Sequence, residues 1–173
     1  MDTGDMILKE EVEIGEDETT GQLWDKLSLI GGNLLVKTLK EIENGTAPRE
    51  KQGEDFSVAP MLDKDMARIN WEEKSGLEIK NLVNGLNPIM GAFTCINDKK
   101  IKLWKVKIFT FEEFENKYNI KPEEFKLSQV IIANDKQGLF LKAKDGVIEV
   151  IEMQAENSRK MQAKDYLRGN KLI

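Results

Sequence analysis

The side chains that could do chemistry in this 173-residue chain are mostly cationic, and they are bunched. Lys99, Lys100, Lys102, Lys105 and Lys107 fall within nine residues, and Arg159, Lys160, Lys164, Arg168 and Lys171 within thirteen. Arg49 and Lys51 form a smaller pair. Amines and guanidiniums grouped in this way suit a phosphate backbone, where each contact adds salt-dependent affinity without reading sequence. They also suit a plain solvated surface, since 33% of the chain is charged and Asp98, Glu149, Glu152 and Asp165 interleave with them. Histidine is absent, which excludes His-based triads and His-containing zinc sites within the chain. Cys95 is the single cysteine, so no internal disulfide is possible, and no residue pattern supports a metal site. Gly31-Gly32 lies inside a helical pattern rather than between a strand and a helix, so it is not a phosphate loop.

The net charge of −5 is unevenly spread. Residues 1–60 hold 14 acidic and 6 basic side chains, whereas residues 61–173 hold 17 and 20. A protein devoted only to nucleic acid is usually more basic than this; a polyanion-binding module attached to an acidic region fits the imbalance. No run of residues approaches the roughly 18 apolar positions of a membrane span. The first residues, Met1 to Asp5, show no basic stretch before an apolar one. The expected compartment is the cytoplasm.

The elements that would position these side chains fall into two parts. Met6–Ile14 reads as an edge strand, and Thr19 with Gln22 forms a capping box at the start of a helix. Leu23, Leu27, Ile30, Leu34, Leu35, Leu39 and Ile42 recur at helical spacing, with a pause expected at Gly31-Gly32 and a stop at Asn44-Gly45. A strand and one helix make little core, so residues 1–45 read as the tail of an α/β domain. Residues 46–62 read as a linker, because Thr46–Asp55 has no apolar periodicity.

Residues 63–173 read as a separate small domain. Ser75 and Glu78 form a second capping box, and Pro88 ends the helix that follows. Phe93–Ile96 and Ile101–Phe109 pair as a hairpin; Thr110–Pro122 is a charged excursion with a helical turn or two. Val130–Ala133, Gly138–Lys142 and Val147–Glu152 are three more strands, and a short basic-flanked helix ends the chain. Trp71, Trp104, Phe93, Leu103 and Val106 are expected in the core, with Cys95 as a small buried hydrophobe. The fold class is α+β: five strands forming a small, partly open barrel of the oligonucleotide-binding type, preceded by the strand–helix remnant.

Three stretches, taken in order, resemble methionyl-tRNA formyltransferases. Met1-Asp2-Thr3-Gly4-Asp5-Met6 and Glu18 to Leu27 are similar to the end of that family's catalytic domain. Ala67 to Trp71, Gly85 to Pro88, Gly91 to Thr94 and Leu103 to Lys105 resemble the start of its C-terminal domain. Gln137 to Leu139, Lys144 to Gly146 and Lys160 to Gly169 resemble its end. The family usually carries Trp-Pro at the corner where this chain has Ile89-Met90, and Thr110–Phe125 looks like an insertion.

The resemblance implies an enzyme that moves a formyl group from 10-formyltetrahydrofolate to the methionine of initiator tRNA. It implies a Rossmann-like catalytic domain and an oligonucleotide-binding-like C-terminal domain that helps hold the tRNA. The catalytic aspartate of the family falls on Asp2, while its partner asparagine and histidine and the folate-binding loops have no counterpart here. The resulting expectation is a chain that binds no folate and is inactive alone, but contributes tRNA contacts, with homodimerisation through the incomplete N-terminal part. Two alternatives stay open: a stand-alone nucleic-acid-binding module, and a structural or interaction domain of another formyltransferase.

Overall fold

A computed structural model describes residues 4–55 and 57–172. The chain separates into two compact units, Met1–Leu62 and Asp63–Ile173.

The first unit is dominated by helix α1 (Thr20–Glu43). Its capping box is complete: the Thr19 backbone N–H donates to Gln22 Oε1 at 2.9 Å, and the Gln22 N–H donates back to Thr19 Oγ1. The helix runs through Gly31-Gly32 without the expected pause. Glycine weakens a helix by about 1 kcal/mol relative to alanine but does not forbid it, and 22 other residues carry it. Asn44 caps its end, followed by Gly45 at φ +70°. No residue of α1 is buried. The strand expected over Met6–Ile14 does not form: Met6 exchanges backbone bonds with Glu50 (2.7 and 2.9 Å), and that isolated bridge is the only pairing of the segment among the described residues. A strand needs a ladder to satisfy its backbone, and only Met6 finds a neighbour.

The second unit is built on an antiparallel sheet. Helix α1 has its counterpart in α2 (Gly76–Gly85), capped by Ser75 and Glu78. Strands β1 (Ala92–Ile96), β2 (Lys99–Phe109), β3 (Val130–Asn134), β4 (Gly138–Lys142) and β5 (Val147–Ala155) pair in the order β1-β2-β5-β4-β3. A sixth strand, β6 (Met161–Gln162), adds to β5. It is one strand more than the five expected, because a two-residue strand has no periodicity to read. The pairing path is open. The outer edge of β1 is instead occupied by the chain before it, with Phe93 donating to Ala67 O (2.7 Å) and Ile69 donating to Phe93 O (2.9 Å).

Both faces of the sheet are covered. One bears the larger core, where Ile79 and Val83 of α2 meet Ile101, Leu103, Leu139, Leu141 and Ile148. The other bears Phe109, Phe114, Ile131, Ile132, Phe140 and Val147. Phe114 comes from helix α3 (Phe111–Tyr118), so the charged excursion is a lid on that second core. Phe114 and Tyr118 lie 5.4 and 4.9 Å from the Phe140 ring centroid. Strand β4 is consequently buried at every position. Helix α4 (Ala163–Gly169) packs Ala163, Tyr166 and Leu167 into the larger core.

Strand β2 carries a register irregularity between Leu103 and Val106. It places Leu103, Trp104 and Val106 all in buried positions, which no simple alternation allows. In β1, Ala92, Thr94 and Ile96 point inward, leaving Phe93 half-buried and Cys95 exposed. The expected burial of Cys95 is therefore corrected; in a strand, the neighbour of an inward residue faces the other way. Trp71 is buried and donates from Nε1 to Thr94 Oγ1 at 3.0 Å. No described helix is long and apolar enough to cross a membrane.

Candidate nucleic-acid interface

The β1–β2 hairpin turns at Asn97 and Asp98, both with positive φ (48° and 61°). Asn and Asp tolerate that conformation, and it brings Lys99 to Lys107 onto one ribbon. All five lysines are at least partly exposed. The sheet register then separates them. Lys105 stands opposite Glu152 of β5 and Lys107 opposite Glu149. Lys102 instead faces Phe93 on one side and Gln154 on the other, and Lys100 faces Cys95. Lys99 and Lys102 thus have no carboxylate in register, whereas the carbonyl of Lys100 accepts from the N–H of the exposed Glu156 at 3.2 Å.

The C-terminal set is divided in the same way. Lys160 Nζ lies 2.8 Å from Glu152 Oε2, and Arg168 forms a 3.0 Å pair with Asp165. Arg159, Lys164 and Lys171 are exposed. Arg49 and Lys51 are exposed in the first unit, beside the Met6–Glu50 bridge. Asp2 lies outside the described residues; Gly4 and Asp5, just after it, are exposed.

One basic residue was not anticipated. Lys64, in the turn before Ala67, lines a cavity of about 280 Å³ together with Lys100, Lys102, Phe93, Met90 and Ile89. Its turn is fixed by Asp63, whose carboxylate accepts from the Asp65 and Met66 N–H groups at 2.9 Å. Asp63 followed by backbone donors two and three residues on is an Asx-turn signal, but nothing local says where that turn lands. No acidic side chain lines this cavity. A second cavity, of about 530 Å³, is lined by Asp65 and Glu72 as well as Arg68, so its charge is mixed.

Gly91 defines the corner of the basic cavity. Its φ is +67°, and a Cβ there would stand 2.8 Å from the Trp104 indole. Glycine alone meets both conditions. Asn87 Nδ2 donates to Trp104 O at 2.9 Å, and Trp104 Nε1 donates to Gln154 Oε1 at 3.2 Å. The corner is thereby held against β2. Away from this site, Lys142 is buried with Nζ 3.4 Å from the Phe111 ring centroid, and burial pulls its ammonium below the ordinary lysine range.

This arrangement offers positive charge and an aromatic face, and no nucleophile–base pair. Residues 61–171 match the family described as formyl transferase, C-terminal domain. The chain belongs to that family. This formyl transferase C-terminal domain and its N-terminal extension are 39% identical to the methionyl-tRNA formyltransferase of Ruminiclostridium cellulolyticum, over 99% of this chain and 52% of that protein. The corresponding proteins of Halothermothrix orenii and Clostridioides difficile are each 40% identical over 97% and 98% of this chain, and again 52% of their own length. The chain spans about half the length of these relatives. Among solved structures, HypX from Aquifex aeolicus matches 96% of this chain and 28% of its own, with a TM-score of 0.67 at 15% identity. The N-formyltransferase of Helicobacter canadensis matches 87% and 51%, with a TM-score of 0.55 at 19% identity. At such identities the likeness is one of fold, a mixed α/β architecture with an antiparallel sheet.

Proposed function

We propose that this chain is the C-terminal portion of a methionyl-tRNA formyltransferase and that its second unit holds initiator tRNA by the phosphate backbone. The observation that carries this reading is the match over 97–99% of this chain, at 39–40% identity, to about half the length of proteins of that name. The lysine-rich end of the hairpin supplies the physical means, with Lys99, Lys100 and Lys102 as the main contacts and Arg159, Lys164 and Lys171 as secondary ones. Lys105, Lys107, Lys160 and Arg168 contribute less, because each has a carboxylate in register or in a salt bridge. Arg49 and Lys51 are further contacts proposed on the first unit by itself. We read the antiparallel sheet as an open relative of the oligonucleotide-binding barrel, and the compartment as the cytoplasm.

The domain assignment belongs to the same proposal: residues 1–45 as the end of the catalytic domain, 46–62 as linker, 63–173 as tRNA-binding domain. Asp2 is then the inherited catalytic aspartate. Amine acylation needs a base for the amine proton and a donor for the developing oxyanion, and a carboxylate supplies neither donor nor, in a chain without histidine, the usual base. The 173 residues alone should transfer no formyl group.

Titrating initiator tRNA at 50 and 200 mM salt tests the binding. Four phosphate contacts give a fall in affinity of about 100-fold across that range. Absence of binding at 50 mM salt would sink the tRNA reading. We also infer that α1, with Leu35, Val36, Leu39 and Ile42 exposed, pairs two copies when this chain stands alone. Light scattering across a concentration series checks this, and Leu35→Glu should return the monomer mass.

A further inference from the structure

The cavity at the hairpin end, which no acidic side chain lines, also has an aromatic ring on offer. Phe93 is half-buried against the core, and its backbone is fixed on both sides, by Lys102 in register and by Ala67 and Ile69 across the outer edge. Lys100 Nζ lies 3.9 Å from its ring centroid. Phe93, Ile89 and Met90 give the cavity an apolar floor, and Lys64, Lys100 and Lys102 give it a cationic rim. Its volume, about 280 Å³, falls just under the range of about 300–1,000 Å³ usual for small-molecule sites. That suits one ring system and not a duplex.

A duplex backbone would use the rim and leave the floor idle. An acidic peptide would do the same, because a carboxylate brings no apolar face to lay on a phenyl ring, whose own face is electron-rich. The group that uses both is planar and apolar on its faces, with phosphate at its edge. We propose that this groove takes one unpaired nucleotide of an RNA strand, its base against Phe93 and its flanking phosphates on Lys64, Lys100 and Lys102. The Lys100 ammonium, now over the ring, is exposed and long enough to move to the phosphate as the base takes its place. The inference rests on the RNA-binding reading above and deepens it, assigning this hairpin end to a single-stranded stretch rather than to helical backbone. Stacking of this kind is tolerant of base identity, because every base has a π-face.

The test uses the full 173-residue chain at low salt with three labelled probes of equal phosphate number: a single-stranded RNA octamer, an abasic ribose-phosphate strand and a duplex. Fluorescence anisotropy should show the octamer bound about tenfold more tightly than the abasic strand. Phe93→Leu should abolish that preference, and Lys100→Gln should weaken both strands while keeping it. Equal binding of octamer and abasic strand overturns the proposal, as does a preference that survives Phe93→Leu. A poly-glutamate peptide that displaces the octamer at equal charge also overturns it, in favour of an acidic-peptide site. If Phe93→Leu does not fold, the unsubstituted chain's octamer-to-abasic ratio decides alone. Initiator tRNA run in parallel separates the two layers: tRNA bound without base preference defeats only the groove, whereas no tRNA binding at all defeats the RNA reading beneath it.

Discussion

Helices α1 and α2 start from the same capping box, yet α1 buries none of its 24 residues while α2, with 10, buries Gly76, Ile79 and Val83. Both carry apolar residues at helical spacing. The difference lies in what each finds opposite its apolar face. Helix α2 lies on β2 and the larger core, and its first N–H is taken by a residue far along the chain: Gly76 donates to Asp145 Oδ1 at 2.6 Å. Helix α1 has its own hydrogen bonds, its cap, the Thr46 and Ala47 N–H groups donating to the Glu41 carbonyl, and the Lys26 contacts to the Glu13 carbonyl and to Glu18. At 24 residues it exceeds the length below which isolated helices are marginal. Capping and amphipathy start a helix, but a core makes it part of the cooperative fold.

Removing one apolar side chain from each helix separates the two cases most widely. Ile79→Ala should cost about 2–5 kcal/mol in urea unfolding, whereas Leu35→Ala should stay within about 0.5 kcal/mol in the monomer. A large loss for Leu35→Ala at low protein concentration would mean that α1 is packed after all. Next in size is the turn that reaches α2. A Cβ at Gly146 would collide with the Phe109 carbonyl oxygen, so Gly146→Ala should cost about 1–3 kcal/mol and shift the unfolding midpoint accordingly.

The caps give a smaller and more discriminating effect. Ser75→Ala should cost about 1 kcal/mol and lower the midpoint of global unfolding. Thr19→Ala removes a bond of the same kind, but its loss should show in helical ellipticity and leave that midpoint unmoved. Smallest is the pH response of Lys142, whose folded-state ammonium is held below the ordinary lysine range by burial. Between the lowered and the ordinary value the unfolded chain binds more protons, so stability rises with pH there. Against Lys142→Met, the unsubstituted protein should gain stability as pH climbs toward that ordinary value, and a flat difference would contradict the assignment.

Much of this was legible because the signals are local. Thr19 with Gln22 and Ser75 with Glu78 mark both helix starts, and Asn97-Asp98, Asn134-Asp135 and Asp145-Gly146 mark three turns. Thr110 with Glu113 is a third box of identical spacing, and it was available to extend the charged excursion into α3. What stayed hidden depends on register. Whether Cys95 faces in or out turns on a one-residue choice in a five-residue strand. The displacement at Leu103–Val106, the carboxylates opposite Lys105 and Lys107, and the arrival of Lys64 beside Lys100 are set by pairing across the sheet and by a loop's landing place. The basic residues could be listed from sequence; which of them keep their charge available could not.

The tight seat of Gly91 on Trp104 gives the molecule an optical gauge. The indole is buried, its ring lies 5.6 Å from Lys102 Nζ and 5.3 Å from Lys160 Nζ, and the corner that walls the groove rests on its edge. Any occupant that shifts the corner or draws Lys102 away changes the electrostatic surroundings of a chromophore it never touches. Of the other two tryptophans, Trp24 is exposed and Trp71 is tied to Thr94. With Trp24→Phe in place, a change in emission colour would record events at the groove without a label on either partner.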